Sequence, residues 1–275
     1  MVNVGSDRAS PPDPTRYPVE DEMGEGLLQK LIVVLLLPLV RRFLEERGVR
    51  ALVGGNQFIY WVQHEPTSSI APDLYVLPGV DPDLAIGSWK TWETGVVPSF
   101  VLEIVSEDLR KDYEDVPRRC AKLGVRELMI FDPDWERHPD RRRWQVYRRH
   151  ERGPLAVVES TNDATVRSEV LGAWLASVGT GDATRLRVAL DAHGRTLFPT
   201  DAERAAAEAK RATAEAKRAT AEAKRAAAEA ERAAAEAERA TAEAERAETE
   251  AAARAEAEAE VARLRAALEA LKRER

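Results

Sequence analysis

The sequence predicts an α/β domain that ends near residue 200 and a long alanine-rich helix beyond it. Three observations carry this. Every Trp, Tyr, Phe, Gly and Pro falls within the first 200 residues. Strand, helix and strand signals succeed one another between residues 100 and 131, the order of a βαβ unit. From Asp201 to Arg275 the chain is mostly Ala, Glu, Arg and Lys, with no Gly, Pro or aromatic residue. That composition cannot build a globular core, whereas a mixed segment of about 200 residues is ample for one. The organisation expected is a disordered lead over residues 1–16, a folded domain over 17–199 and a heptad-repeat helix over 200–275.

Helix signals come first, from Glu22 to Arg47, where Leu27, Leu28, Leu31, Leu35, Leu39 and Phe43 recur at spacings of three and four. Gly48 should end this helix and Pro38 should kink or divide it, because the proline ring removes a donor and crowds the preceding turn. Strands are expected at Ala51 to Val53, at Gln57 to Gln63 and at Leu74 to Leu77, bounded by Gly54, Gly55, Pro66 and Pro78. Phe100 to Val105 reads as a continuous apolar strand interrupted only by Glu103. A helix from Tyr113 to Leu123 stops at Gly124, and Glu127 to Phe131 forms the next strand, parallel to an earlier one. An antiparallel hairpin follows over Trp144 to Tyr147 and Leu155 to Glu159, and the chain closes through Trp174 towards Arg187.

Charge excludes a general nucleic-acid coat. The last 75 residues hold 16 Lys plus Arg against 18 Asp plus Glu, and the rest of the chain is acidic as well. Any contact with DNA must therefore rest on a local patch or a bound cation. Arg137 to Arg143, with Arg148 and Arg149, is the basic run; it reads either as a phosphate contact or as a solvated hairpin tip. The apolar run Leu31 to Val40 is about half of what spans a bilayer, the N-terminal stretch lacks the apolar core of a signal peptide, and a single cysteine, Cys120, suits a reducing cytoplasm. No membrane association is expected.

Two carboxylates are locally odd. Asp73 follows Pro72 at the entrance to a strand, and Glu103 sits inside the apolar run. A buried charge costs several kcal/mol unless it is paired or bound to metal. A divalent cation between the two would satisfy both, and hard oxygen ligands suit magnesium, with manganese as the alternative. The other reading is that Asp73 closes a turn and Glu103 pairs with an Arg or Lys. His64, His138, His150 and His193 lack metal-ligand spacing and read as surface or loop residues.

A series of motifs narrows the choice. Ala71-Pro72-Asp73-Leu74-Tyr75-Val76, Ser88-Trp89-Lys90-Thr91-Trp92-Glu93, Pro98-Ser99-Phe100-Val101-Leu102-Glu103-Ile104-Val105-Ser106, Lys111-Asp112-Tyr113, Leu123-Gly124-Val125-Arg126-Glu127-Leu128 and Phe131-Asp132-Pro133 occur in that order. Together they resemble the Uma-type restriction-endonuclease family of the PD-(D/E)xK nuclease superfamily, over roughly Tyr17 to Leu190. The resemblance implies a mixed central β-sheet flanked by helices, a magnesium ion at Asp73 and Glu103, and hydrolysis of DNA phosphodiesters. Glu25, in Met23-Gly24-Glu25, falls where the superfamily often has a further acidic ligand; otherwise it is a charge at a helix N-terminus. The chain departs from the pattern at Val105, which occupies the usual lysine position. Lys111 is the nearest replacement and the expected third catalytic residue, with Lys122 behind it; the alternative for Lys111 is a solvated charge paired with Asp108 or Asp112. Val105 also keeps open a catalytically inactive nuclease fold serving as a binding or assembly module.

The tail repeats every seven residues, from Lys210 through copies starting at Lys217 and Lys224. Ala212, Ala216, Ala219, Ala223, Ala226 and Ala230 form a coiled-coil seam of very small knobs. Val261, Leu264, Leu268 and Leu271 offer larger ones. The tail is therefore expected to join copies of this chain, or to take a partner helix, through residues 200–275; a single exposed helix acting as a spacer is the alternative.

Overall fold

The computed structural model describes Thr15, residues 26–151 and residues 153–273, and the first secondary-structure element among these residues is helix α1, Leu27–Glu46. Glu25 and the N-terminal lead lie outside the described residues apart from Thr15. α1 turns Ile32, Val33, Leu36, Leu39, Val40, Phe43 and Leu44 inward. The buried stripe is thus displaced from the expected one: Leu27 and Leu31 are exposed. Leucines and valines ring this helix almost completely, so spacing alone does not select the buried face. Pro38 does not divide the helix. Pro38 and Val34, four residues earlier, both lie on the exposed side, where water can satisfy the carbonyl left without a donor.

Six strands form the main sheet: β1 (Ala51–Gly54), β4 (Leu74–Pro78), β6 (Phe100–Ile104), β7 (Glu127–Phe131), β8 (Trp144–Arg149) and β9 (Leu155–Thr161), in the spatial order β1-β4-β6-β7-β8-β9. β6 and β7 are parallel and the other neighbours antiparallel, so the sheet is mixed. The crossover from β6 to β7 passes through a π-helical turn, Lys111–Asp115, that runs directly into α3, Val116–Leu123. Gly124 ends α3 at a φ of +94°, a conformation that favours glycine.

Alternation along the strands divides the core. Val76, Phe100, Leu102, Met129 and Phe131 pack with α1 and with a second sheet of β10 (Thr165–Ser168), β11 (Ala173–Val178) and β12 (Arg185–Ala189). Tyr75, Leu77, Val101, Leu128 and Ile130 face the other way, towards α3 and the short strands β2 (Ile59–Tyr60), β3 (Ser69–Ile70) and β5 (Trp89–Lys90). The strand expected over Gln57 to Gln63 is shorter than its alternation implies, since the ladder with β3 and β5 is confined to Ile59 and Tyr60. A helical turn, α2 (Thr91–Thr94), follows β5.

One buried carboxylate ties the main sheet to the sheet of β10, β11 and β12. Glu127, at the start of β7, accepts hydrogen bonds from Arg148 Nε at 2.8 Å, from the Ser168 hydroxyl and from the backbone N–H of Glu169 at 3.0 Å. A charge with that many donors is well compensated for its burial. It fixes β7 and therefore its parallel neighbour β6.

The chain divides into two compact units, Met1–Thr200 and Asp201–Arg275. The second is a single helix, α4, Asp201–Arg273, opened by Asp201 and Glu203, which favour its N-terminal dipole. Val261, Leu264 and Leu268 are 46, 61 and 56 % exposed. No helix among the described residues is long and apolar enough to cross a membrane.

Candidate active site

Antiparallel pairing of β4 with β6 brings Leu74 opposite Leu102 and Tyr75 opposite Val101. Continuing that register sets Asp73, in the bend just before β4, opposite Glu103, which lines a cleft beside α3. Both are almost fully buried, at 3 and 2 % exposure. Like charges directly across a strand pair destabilise a sheet, so this is a costly place for two acids.

The surroundings hold Asp73 tightly. Its Oδ2 accepts the Ile104 backbone N–H at 2.6 Å, and its Oδ1 accepts the amide of Gln29 on α1 at 2.7 Å. Behind it the chain runs so close that a Cβ on Gly55 would stand 2.3 Å from the Asp73 carbonyl oxygen, which leaves room only for glycine. Glu103 is served less well. The backbone N–H of Asp73 donates to its carboxylate, and Lys111 Nζ stands 3.9 Å from Oε1. Its Oε2 is buried without a hydrogen-bond partner. Burial first, and the Asp73 charge second, hold the Glu103 carboxyl well above its ordinary pKa.

Lys111 therefore does meet Glu103. Its backbone N–H bonds the Asp108 side chain at 3.0 Å, while its ammonium turns back to the strand and its side chain is 43 % exposed. The widened turn that carries it is pinned by Asp112, whose Oδ2 accepts both the N–H of Ser106, at 2.6 Å, and its hydroxyl, at 2.9 Å. π-helical turns of this kind recur at functional sites. Asp112 is itself fully buried, and burial raises its pKa. Val105 is buried in the apolar cluster beneath α3. Lys122 is exposed on α3 and lines a different cleft.

Two openings meet at Lys111. A small cleft of about 190 Å³ is lined by Glu103, Lys111, Arg119 and Phe58. A groove of about 750 Å³ is lined by Gln29, Ser106, Lys111 and Arg141. Sequence reasoning missed Gln29 and Asp112. Gln29 could have been found as a polar residue one turn before the buried stripe; Asp112 offered no such signal, because an acid in a helical turn ordinarily faces water.

The expected basic patch is largely committed to other partners. Arg141 is bonded by two nitrogens to the buried Asp132, which also accepts the Tyr113 hydroxyl at 2.6 Å and closes a turn by accepting the Asp134 N–H at 2.9 Å. Arg143 lies 4.9 Å from the Trp135 ring, and Arg137 is 3.2 Å from Asp134. All four histidines are exposed.

Among the described residues no group of three or more His, Cys, Asp or Glu could hold a metal ion. A two-carboxylate site still suits magnesium, which commonly takes one or two carboxylates and completes its shell with water and substrate phosphate. The orphaned Glu103 oxygen beside a second acid is the feature that fits a cation. Glu103→Gln should accordingly stabilise the metal-free protein at neutral pH by on the order of 1–3 kcal/mol, by removing a buried charge with an unmet acceptor. The sign follows from the raised pKa: the native chain loses stability as pH climbs from the unfolded value near 4.5 through the folded one. The gain should vanish towards pH 4, as read by urea denaturation in EDTA; an equal gain at both pH values would contradict it.

Residues 19–179 match the model of the Uma2 family, whose description is "Putative restriction endonuclease". A solved structure titled as "a putative nuclease belonging to DUF820 from Anabaena variabilis ATCC 29413" is similar at 16 % identity, over 55 % of this chain and 76 % of that one, with a TM-score of 0.38. No curated protein matches the chain.

Proposed function

Because the chain belongs to the Uma2 restriction-endonuclease family, we propose that it hydrolyses DNA phosphodiester bonds at Asp73, Glu103 and Lys111 with the help of a divalent cation. The observation that carries the reading is the buried acid pair across β4 and β6, with one Glu103 oxygen unpartnered and a lysine ammonium beside the other. Asp73 and Glu103 are the residues that would hold magnesium or manganese. Bound there, the ion supplies stabilisation of the charge that grows on the phosphate and a lowered pKa for water.

This chain's own residues do the rest. Gln29 and the Ile104 N–H orient Asp73. Asp112, by gripping Ser106, holds the turn from which Lys111 reaches Glu103. The Lys111 ammonium offsets negative charge and orients the attacking water. That water's oxygen gives up a proton to solvent as it bonds to phosphorus, the bond to the leaving oxygen breaks, and the leaving oxygen takes up a proton from solvent. Lys111 in this role replaces the usual strand lysine, whose place Val105 fills with packing.

Plasmid nicking by the full chain in magnesium tests the reading. Asp73→Asn and Glu103→Gln should each lower the rate by at least about 10²-fold, and Lys111→Ala by about 10²- to 10³-fold, the usual cost of removing one charge-stabilising group. Nicking that survives both acid substitutions would refute the assignment.

Val105 favours a second reading, a catalytically silent fold that acts as a binding or assembly module. The tail supports assembly under either reading through Val261, Leu264 and Leu268, large apolar side chains left exposed at coiled-coil spacing. We propose that copies of the chain associate there. Sedimentation should return a species larger than a monomer, reduced to monomer by Leu264→Glu with Leu268→Glu; a monomeric native chain would leave α4 as a spacer.

A further inference from the structure

Helix α3 and the turn before it carry a second set of cations that the site does not consume. Arg110, Arg118, Arg119 and Lys122 line a cleft of about 350 Å³ with Trp61 and Ser68. Positions 118, 119 and 122 share one helix face through their three- and four-residue spacing. Arg119 is anchored by a hydrogen bond to the Ser69 carbonyl oxygen at 2.5 Å. It also lines the small cleft that holds Glu103 and Lys111, so the two clefts share a wall. Cationic side chains thus extend from the acid pair outwards along α3.

These charges are available in a way that Arg141 is not. Arg110 and Arg118 are 76 and 64 % exposed, and their partners Glu114 and Asp115 are neighbours on the same turn. Exposed ion pairs of this kind contribute little and exchange readily for a phosphate. Arg141, by contrast, is held by a fully buried carboxylate. In a chain of net charge −7, four cations around one cleft are a local departure from the acidic average. Trp61 packs partly against the apolar cluster beneath α3 and is only half-buried, so part of its side chain remains open to the cleft. Guanidinium, ammonium and hydroxyl groups beside an aromatic residue are what contact a nucleic-acid backbone and stack an unpaired base.

We infer that the Arg110, Arg118, Arg119 and Lys122 cleft binds the sugar-phosphate backbone of the DNA strand that enters the acid pair, with Trp61 as a stacking face for an unpaired base. The inference rests on the nuclease reading for the identity of the ligand, and binding can be measured without cleavage. The probe is a fluorescently labelled single-stranded oligonucleotide, titrated with the full chain in EDTA over a range of salt concentrations and followed by anisotropy.

The double variant Arg110→Ala with Lys122→Ala should weaken binding about tenfold at moderate salt. It should also lower the salt slope by roughly 1 to 1.5, at about 0.7 for each single-strand phosphate that is no longer neutralised. Trp61→Leu keeps apolar packing and should weaken binding at every salt concentration with the slope unchanged. Arg137→Ala with Arg142→Ala should bind as the native chain does. Melting followed by circular dichroism establishes that each variant is folded. Native-like affinity and slope in the Arg110 and Lys122 variant, or no binding by the native chain at low salt, overturns the inference. A native chain that binds through these residues and fails to nick plasmid in magnesium sinks the nuclease reading and leaves the cleft standing. Nicking with unaltered binding in the cleft variants does the reverse.

Discussion

Repulsion between Asp73 and Glu103 is the constraint around which this face of the domain is organised. Two carboxylates across one strand pair, both out of water, would not persist without compensation from every side. The domain provides much of it. Gln29 and a backbone N–H take up Asp73, while Lys111 and the N–H of Asp73 serve Glu103. One oxygen remains unsatisfied, and a divalent cation is the simplest group that would complete the set. The architecture reads as the means of holding that pair: antiparallel β4 and β6 put the acids opposite each other, and the parallel step to β7 requires a crossover that swings Lys111 back over the end of β6.

Arginines of similar sequence context end up with different roles, and burial decides which. Arg148 and Arg141 each meet a carboxylate that is at most 1 % exposed, Glu127 or Asp132, and become parts of the frame. Arg110 and Arg118 meet partners on the surface, in a setting where salt and water compete with the ion pair. A run of basic residues in a sequence therefore does not locate a cationic surface; the partners waiting at the positions where the chain folds do.

Some of this was legible in the sequence. Glu103 stood out because an acid inside a continuous apolar strand is a local contradiction, and the run itself gave β6 within a residue of its observed end. Asp73 stood out beside Pro72 at the entrance to a strand, and Lys111 came with the family resemblance, as the replacement for the lysine that Val105 displaces. Other features had no local signature. α1 is apolar on nearly all sides, so periodicity offered no choice of face, and Gln29 was left unnoticed though it touches Asp73. Asp112 reads as a surface charge until the fold closes over it. The two-residue strands β2, β3 and β5 are too short to carry a period, and the alternation around Tyr60 suggested a longer strand than the backbone pairs. In the tail, helix propensity and heptad spacing suffice to predict a helix, and α4 runs unbroken over Asp201–Arg273.

The central claim is that the acid pair is a cation site, and calorimetric titration of Mn2+ into the full chain tests it most directly. The account predicts saturable binding by the native chain that is lost in Asp73→Asn and in Glu103→Gln, with both variants still folded. Absence of Mn2+ binding by the native chain, or binding that persists in both variants, would contradict it.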